Sequence, residues 1–290
     1  MSREHRISAD GRRLLVFEGG DPDGVPVLFH NGTPGSRLPY RSWVEDAASR
    51  GLRFLSYDRP GYGGSDPHPG RTVADAAADV AAIADALGIE RLAVWGLSGG
   101  GPHTLACAAL LPDRVAAAAT LASVAPYPAD DLDWLAGMGE DNVKEFNAAL
   151  EGRDALTPML EGWAAEVAAL DPEALADAFR SLLSPVDRDA LTGEYARYVH
   201  AAMLAGLAPG IEGWLEDDLA FTSRWGFDLA DIRVPVQLWQ GREDRFVPFA
   251  HGEWLAERIP GVDACLLDDE GHLTVQQSVP AVHAWLQQHV

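Results

Sequence analysis

Cysteine, lysine and long apolar runs are scarce in this chain. Two cysteines in 290 residues, Cys107 and Cys265, are too few for a disulfide framework, and they lack the paired spacing of a thiolate metal site. Both read as core residues. Lys144 is the only lysine, and 44 Asp plus Glu against 22 Lys plus Arg leave a net charge of −22, which repels nucleic-acid backbones and anionic membranes. No segment approaches the roughly eighteen uninterrupted apolar residues of a membrane span, and Met1-Ser2-Arg3-Glu4-His5-Arg6 is charged where a signal peptide would be apolar. Groups of His, Cys and acid at metal-ligand spacing are missing too. The expectation is a cytoplasmic protein that binds neither nucleic acid nor membrane and acts on a small molecule.

What the chain does have is 47% hydrophobic residues, enough to bury a large α/β core carrying an insertion. Residues 12–18 and 25–30 read as strands around the turn-forming Gly19-Gly20-Asp21-Pro22-Asp23-Gly24. Pro39 to Arg50 reads as a helix closed by Gly51, and Leu52 to Tyr57 as the next strand. The breaker-rich loop Asp58-Arg59-Pro60-Gly61-Tyr62-Gly63-Gly64-Ser65 follows, with Asp58 expected to accept loop N–H bonds. Thr72-Val73-Ala74-Asp75 resembles a capping box ahead of Val73, Ala77, Val80, Ala84 and Leu87 at helical spacing.

The segment Leu92-Ala93-Val94-Trp95-Gly96-Leu97-Ser98-Gly99-Gly100-Gly101 is an apolar strand breaking through Gly-x-Ser-x-Gly into an Ala-rich helix, the pattern of a nucleophile elbow. Gly96 and Gly100 leave room where strand and helix approach, and Ser98 stands at the tip as candidate nucleophile. The free N–H groups of the following helix point at the same spot. Another apolar run, Val115 to Val124, gives a further strand, and strands alternating with helices imply a parallel sheet covered on both faces. From about Tyr127 to Asp228 only helical stretches occur, and Val234 to Trp239 then resumes the sheet. We expect a core of residues 1–126 and 229–290 with a helical domain, 127–228, over the strand ends. Trp134, Trp163, Trp214 and Trp225 fall in that insertion, most as packing anchors. Its acidic run Glu212, Glu216, Asp217, Asp218 reads as a solvated face, with attraction of cationic substrates as the alternative.

A serine hydroxyl needs a histidine to take its proton and a carboxylate to hold that histidine. Among nine histidines, His272 follows the late apolar segment and its acidic loop in Glu270-Gly271-His272, which returns it to the sheet's carboxyl edge. His103 lies on the elbow's own helix, too near in sequence to approach from across the site, and His30 sits at a strand end. Asp244 follows the resumed strand in Gly241-Arg242-Glu243-Asp244; Glu243 is its rival, and Asp231 lies at the wrong end of the strand. The Asn31-Gly32-Thr33-Pro34-Gly35 loop can offer backbone N–H groups to an oxyanion together with that of Gly99.

In order and spacing, Ser98, Asp244 and His272 with the Thr33 and Asp58 loops resemble the α/β-hydrolase superfamily, over nearly the whole chain outside the insertion. The resemblance implies an α/β-hydrolase fold with a helical cap domain, catalytic Ser98, Asp244 and His272, and an oxyanion hole from the Thr33 and Gly99 N–H groups. Asn31 stands where the family's loop usually has histidine. A serine nucleophile implies acyl transfer to water, with ester or lactone cleavage ranked above a proline-iminopeptidase-like activity because the elbow reads Gly-Leu-Ser-Gly-Gly. Cofactor-free perhydrolase chemistry uses the same triad, and neither metal nor organic cofactor is required. A small-molecule receptor on the same fold is the non-enzymatic alternative.

Overall fold

The apolar runs at Val25–His30, Leu92–Leu97 and Val115–Leu121 need cover on both faces, which a parallel sheet between helical layers provides. The computed structural model describes residues 2–290. Its first half lays down β1 (Arg3–Ala9), β2 (Arg12–Gly20), β3 (Val25–His30), α1 (Arg41–Ser49), β4 (Leu52–Tyr57), α2 (Asp75–Ala86), β5 (Leu92–Leu97), α3 (Gly100–Leu110) and β6 (Val115–Leu121). Helices then follow with no strand between them among the described residues: α4 (Glu140–Glu151), α5 (Arg153–Ala169), α6 (Leu175–Ala178), α7 (Pro185–Ala190), α8 (Gly193–Leu207) and α9 (Glu212–Phe221). The sheet resumes with β7 (Val236–Gly241), α10 (Phe249–Arg258), β8 (Asp263–Leu267) and α11 (Val279–Gln287).

The strands form one sheet of order β1-β2-β4-β3-β5-β6-β7-β8. β1 and β2 run antiparallel to their neighbours and every later pair is parallel. Period-two alternation sorts the core into two layers. Val27, Phe29, Ala93 and Trp95 face α1 and α11 through Trp43, Ala47, Val282 and Leu286. Leu28, Leu55, Val94 and Ala118 face the α2, α3 and α10 side, where Val80, Leu105 and Leu255 lie. Trp95 anchors the first layer, stacked 4.2 Å from Phe29 and edge-on 5.5 Å from Trp43.

From β3 the chain moves outward to β4 and then crosses back to β5 on the other side of β3. Loops leaving the carboxyl ends of β3 and β5 therefore diverge, and a crevice opens between them. That crevice is where Asn31–Ser36 and Ser98 lie.

Two elements differ from the sequence expectation. β1 has no apolar signature, because along this charged edge strand only Ile7 and Ala9 turn inward. The acidic run of the insertion is no solvated face. Glu216, Asp217 and Asp218 are buried in α9, and only Glu212 keeps substantial exposure. Arg59 and Arg71 take up the charge of Asp217, and Arg153 that of Glu216. Asp58 accepts the N–H groups of Arg37 and Gly64, as its loop predicts. No helix among the described residues is long and apolar enough to cross a membrane.

Candidate active site

Ser98 ends β5 with φ at 55°, in the left-handed region that side chains rarely adopt. The turn is over-determined by its neighbours: Ser98 N–H donates to the Leu121 carbonyl at 2.8 Å and the Ser98 carbonyl accepts from Gly101 N–H at 2.8 Å. A Cβ on Gly96 would collide with the Gly100 carbonyl, and one on Gly100 with the carbonyl of His30. Both glycines are therefore required for the close crossing of β5, α3 and β3.

Asp244 lies in the loop after β7, wrapped by its own backbone: Oδ1 accepts from Phe246 N–H and Val247 N–H, each at 2.8 Å. Its Oδ2 is 2.8 Å from His272 Nδ1 and accepts from Gln240 Nε2 at 3.1 Å. Glu243, the rival acid, instead carries the backbone N–H that donates to the Glu270 carbonyl at 2.9 Å. Phe246 stacks on the His272 ring, centroids 4.5 Å apart, and fixes its plane. Burial works against a protonated His272, but the charge and hydrogen bond of Asp244, aided by the field of Asp187, outweigh it and hold the imidazole above its usual range.

Asp187, in α7, is a residue the sequence reading missed. Its Oδ2 accepts from His272 N–H at 2.9 Å, and its Oδ1 from Leu273 N–H at 2.7 Å and Thr274 N–H at 3.1 Å. Gly271 packs flush on this carboxylate, which a Cβ there would strike. The only signal in sequence is Ser184-Pro185-Val186-Asp187, a capping pattern that marks a helix start but not what its acid reaches.

Thr33 and Gly99 come together beside Ser98: a Cβ on Gly99 would run into the Thr33 hydroxyl, and one on Gly32 would sit 3.5 Å from Ser98 Cβ. Gly32 N–H is committed to Asn31 Oδ1 at 2.8 Å, and Asn31 also donates to the Ser36 carbonyl. Asn31 thus pins the loop from within. From outside, Arg59 donates to the carbonyls of Asn31 and Gly32 and to Thr33 Oγ1, the last at 2.9 Å. Arg59 in turn rests on Asp217, which also accepts from Thr33 Oγ1 at 2.6 Å, Tyr62 at 2.9 Å and Arg71 at 2.6 Å. His103 lies 3.2 Å from Asp217, and burial holds its pKa down at about 4 despite that hydrogen bond. It is a neutral part of the scaffold around Asp217.

Ser98, Gly99, Thr33 and His272 line one cavity of about 250 Å³. The remaining wall comes from the helical insertion, with Phe146, Trp163 and Trp214 among its apolar surface and Glu145 and Asp218 among its polar groups. Trp134 and Trp225 pack instead in the core. Among the described residues no cluster of three or more His, Cys, Asp or Glu is arranged to hold a metal ion.

An eight-stranded, mostly parallel sheet, a serine at a left-handed strand-to-helix turn and a histidine–carboxylate pair at the same sheet edge define the class: an α/β hydrolase. Comparison with known proteins agrees. The family profile described as the alpha/beta hydrolase fold matches residues 25–276, and the chain belongs to that family. It is 30% identical over 246 residues to a non-heme chloroperoxidase of Streptomyces lividans, covering 84% of this chain and 83% of that protein. Among solved structures it superposes on an enol-lactonase from Burkholderia xenovorans with a TM-score of 0.71 at 20% identity, covering 98% and 99% of the two chains. A thermophilic esterase from Thermogutta terrifontis gives a TM-score of 0.71 at 22% identity, covering 99% and 100%.

Proposed function

We propose that this protein is a serine hydrolase that cleaves a carboxylic ester or lactone of a small molecule through an acyl-enzyme. The observation that carries the reading is the His272–Asp244 hydrogen bond of 2.8 Å, buried, with His272 lining the same cavity as the strained Ser98. In this mechanism His272 Nε2 takes the Ser98 hydroxyl proton as Oγ bonds to the substrate's carbonyl carbon. Asp244, on Nδ1, fixes the tautomer and balances the imidazolium. The tetrahedral oxyanion lies at the Thr33 and Gly99 N–H groups, donors whose individual loss typically costs about 3–4 kcal/mol. Collapse expels the alkoxide, which takes the proton from His272. Water then attacks the acyl-enzyme, giving a proton to His272, and as the bond to Ser98 Oγ breaks that proton passes to Oγ, so that the carboxylic acid leaves and ionises in solution. In this reading residues 127–228 act as a cap whose helices close the cavity over Ser98.

Hydrolysis of a chain-length series of p-nitrophenyl esters tests this, with Ser98→Ala alongside and a fluorophosphonate probe reporting labelling of Ser98. Turnover and labelling should both vanish in the variant, the rate falling on the order of a million-fold. No labelling and no turnover in the native protein would defeat the reading and bring forward a non-catalytic receptor.

The similarity to a chloroperoxidase favours one second reading. Hydrogen peroxide replaces water at the acyl-enzyme, releasing a peracid that oxidises halide in solution. Acetate-dependent bromination with peroxide, lost in Ser98→Ala, distinguishes it.

A further inference from the structure

Buried carboxylates in this protein are matched with counter-charges or backbone donors, with one exception. Asp217 has Arg59 and Arg71; Glu216 has Arg153 and the Gly70 N–H. Asp58 has Arg37, Asp79 has Arg12, and Glu18 has Arg53 and His5. Asp187 has its three N–H groups, and Asp244 has His272 and two more. The exception is Glu145 in α4 with Asp218 in α9, 8% and 1% exposed. Glu145 accepts from Trp214 Nε1 at 2.6 Å, and Asp218 Oδ2 has no donor at all. Both acids line the cavity that holds Ser98.

We propose that Glu145 and Asp218 are a binding subsite for a protonated amine carried by the substrate. An acidic pair taken out of water without a cation is costly, and a ligand ammonium supplies the charge and the N–H donors that the chain withholds. The rest of the cavity fits that occupant. No lysine or arginine lines it, while Asp141 and Glu166 add negative charge along the wall. Nearby cations are committed elsewhere: Lys144 to Glu140 and Asp141, Arg153 to Glu212 and Glu216, Arg71 to Asp217. The rings of Trp163 and Trp214, 6.2 Å apart and tilted by 31°, offer aromatic surface to the alkyl part of the amine and to its charge. Burial raises both carboxyls, Glu145 to about 7 with the charge of Asp141 adding to it, and Asp218 with the charge of Glu145 adding to it.

The inference deepens the hydrolase reading by naming a substrate class, an ester or lactone bearing an alkylammonium group. Its test is built so that the two readings fail separately. Binding of straight-chain alkylammonium ions is measured by calorimetry against alcohols of the same length, which needs no turnover. Wild type should favour the amine about ten- to hundredfold at its best length. Glu145→Gln and Asp218→Asn should each collapse that ratio toward one. Equal binding of amine and alcohol by wild type, or a ratio unchanged in both variants, overturns the subsite whatever happens to catalysis. With p-nitrophenyl esters of ω-amino acids against fatty-acid esters in which methyl replaces ammonium, kcat/KM should show the same preference if the amine lies on the acyl side. Aminoalkyl against alkyl acetates read the leaving-group side. Turnover of all these esters without preference for charge on either side overturns the subsite and leaves the hydrolase standing. Amine binding with no ester turnover and no labelling of Ser98 sustains the subsite and removes the hydrolase.

Discussion

Two carboxylates bear on His272, and each acts through different partners. Asp244 touches the ring itself. Replacing it with Asn keeps the shape but removes the charge that stabilises imidazolium, and kcat should fall about ten-thousandfold, read with the best p-nitrophenyl ester. Asp187 touches only the backbone of the histidine loop, yet it lies within electrostatic reach of the ring. Burial disfavours the His272 cation, Asp244 favours it most strongly and Asp187 adds to that. In the proposed mechanism His272 must be neutral to accept the serine proton, so a raised pKa would place the acid limb of kcat/KM at higher pH. Asp187→Asn should move that limb to lower pH as well as lowering the melting temperature. A lower melting temperature with an unmoved limb would reduce Asp187 to scaffolding. The placement of Ser98, Asp244 and His272 at one edge of the sheet was legible in sequence because each follows a recognisable strand or loop signal. Asp187 was not, since its partners are main-chain groups 85 to 87 residues away.

At the level of elements, β5 and α9 carry most of the consequences. Trp95, fully buried in β5, packs on Phe29 and Trp43 directly behind the elbow. Its replacement by Ala should cost about 3–5 kcal/mol of unfolding free energy in urea titrations. β5 was readable because a parallel strand buried on both faces is apolar throughout. α9 was misread for the converse reason. Glu212, Glu216, Asp217 and Asp218 look solvated until the distant Arg59, Arg71 and Arg153 are folded against three of them. Opposite α9, Glu145 makes a signed prediction. Its folded pKa, about 7, lies above that of an unfolded glutamate, so its ionisation weakens the fold as pH rises through that interval. Glu145→Gln should therefore raise the melting temperature at pH 8 relative to wild type, with the gain fading toward pH 4. No difference at pH 8 would mean that the carboxylate is compensated after all.

The whole molecule carries a net charge of −22, and its self-repulsion is screened by salt. Raising ionic strength from about 10 to about 150 mM shortens the Debye length from roughly 30 to 8 Å and should raise the melting temperature. A flat or falling response would indicate that the charge is already balanced locally by ion pairs. Fold class and charge were readable from composition and strand rhythm. The joints between the sheet and its helical insertion were not, because they are long-range contacts of single side chains, Asp187 to backbone and Asp217 to arginines, that leave no periodicity.

Those joints have a consequence for engineering. Asp187 grips the histidine loop and Asp217 grips the arginine that braces the Thr33 loop, and both belong to the segment between β6 and β7. The segment therefore supports the candidate site from below as well as walling its cavity. A chimera that borrows this segment from a relative to change substrate range would dismantle the His272 and Thr33 loops unless it retained both aspartates. Restoring them to an inactive chimera should recover turnover before it recovers any preference among substrates.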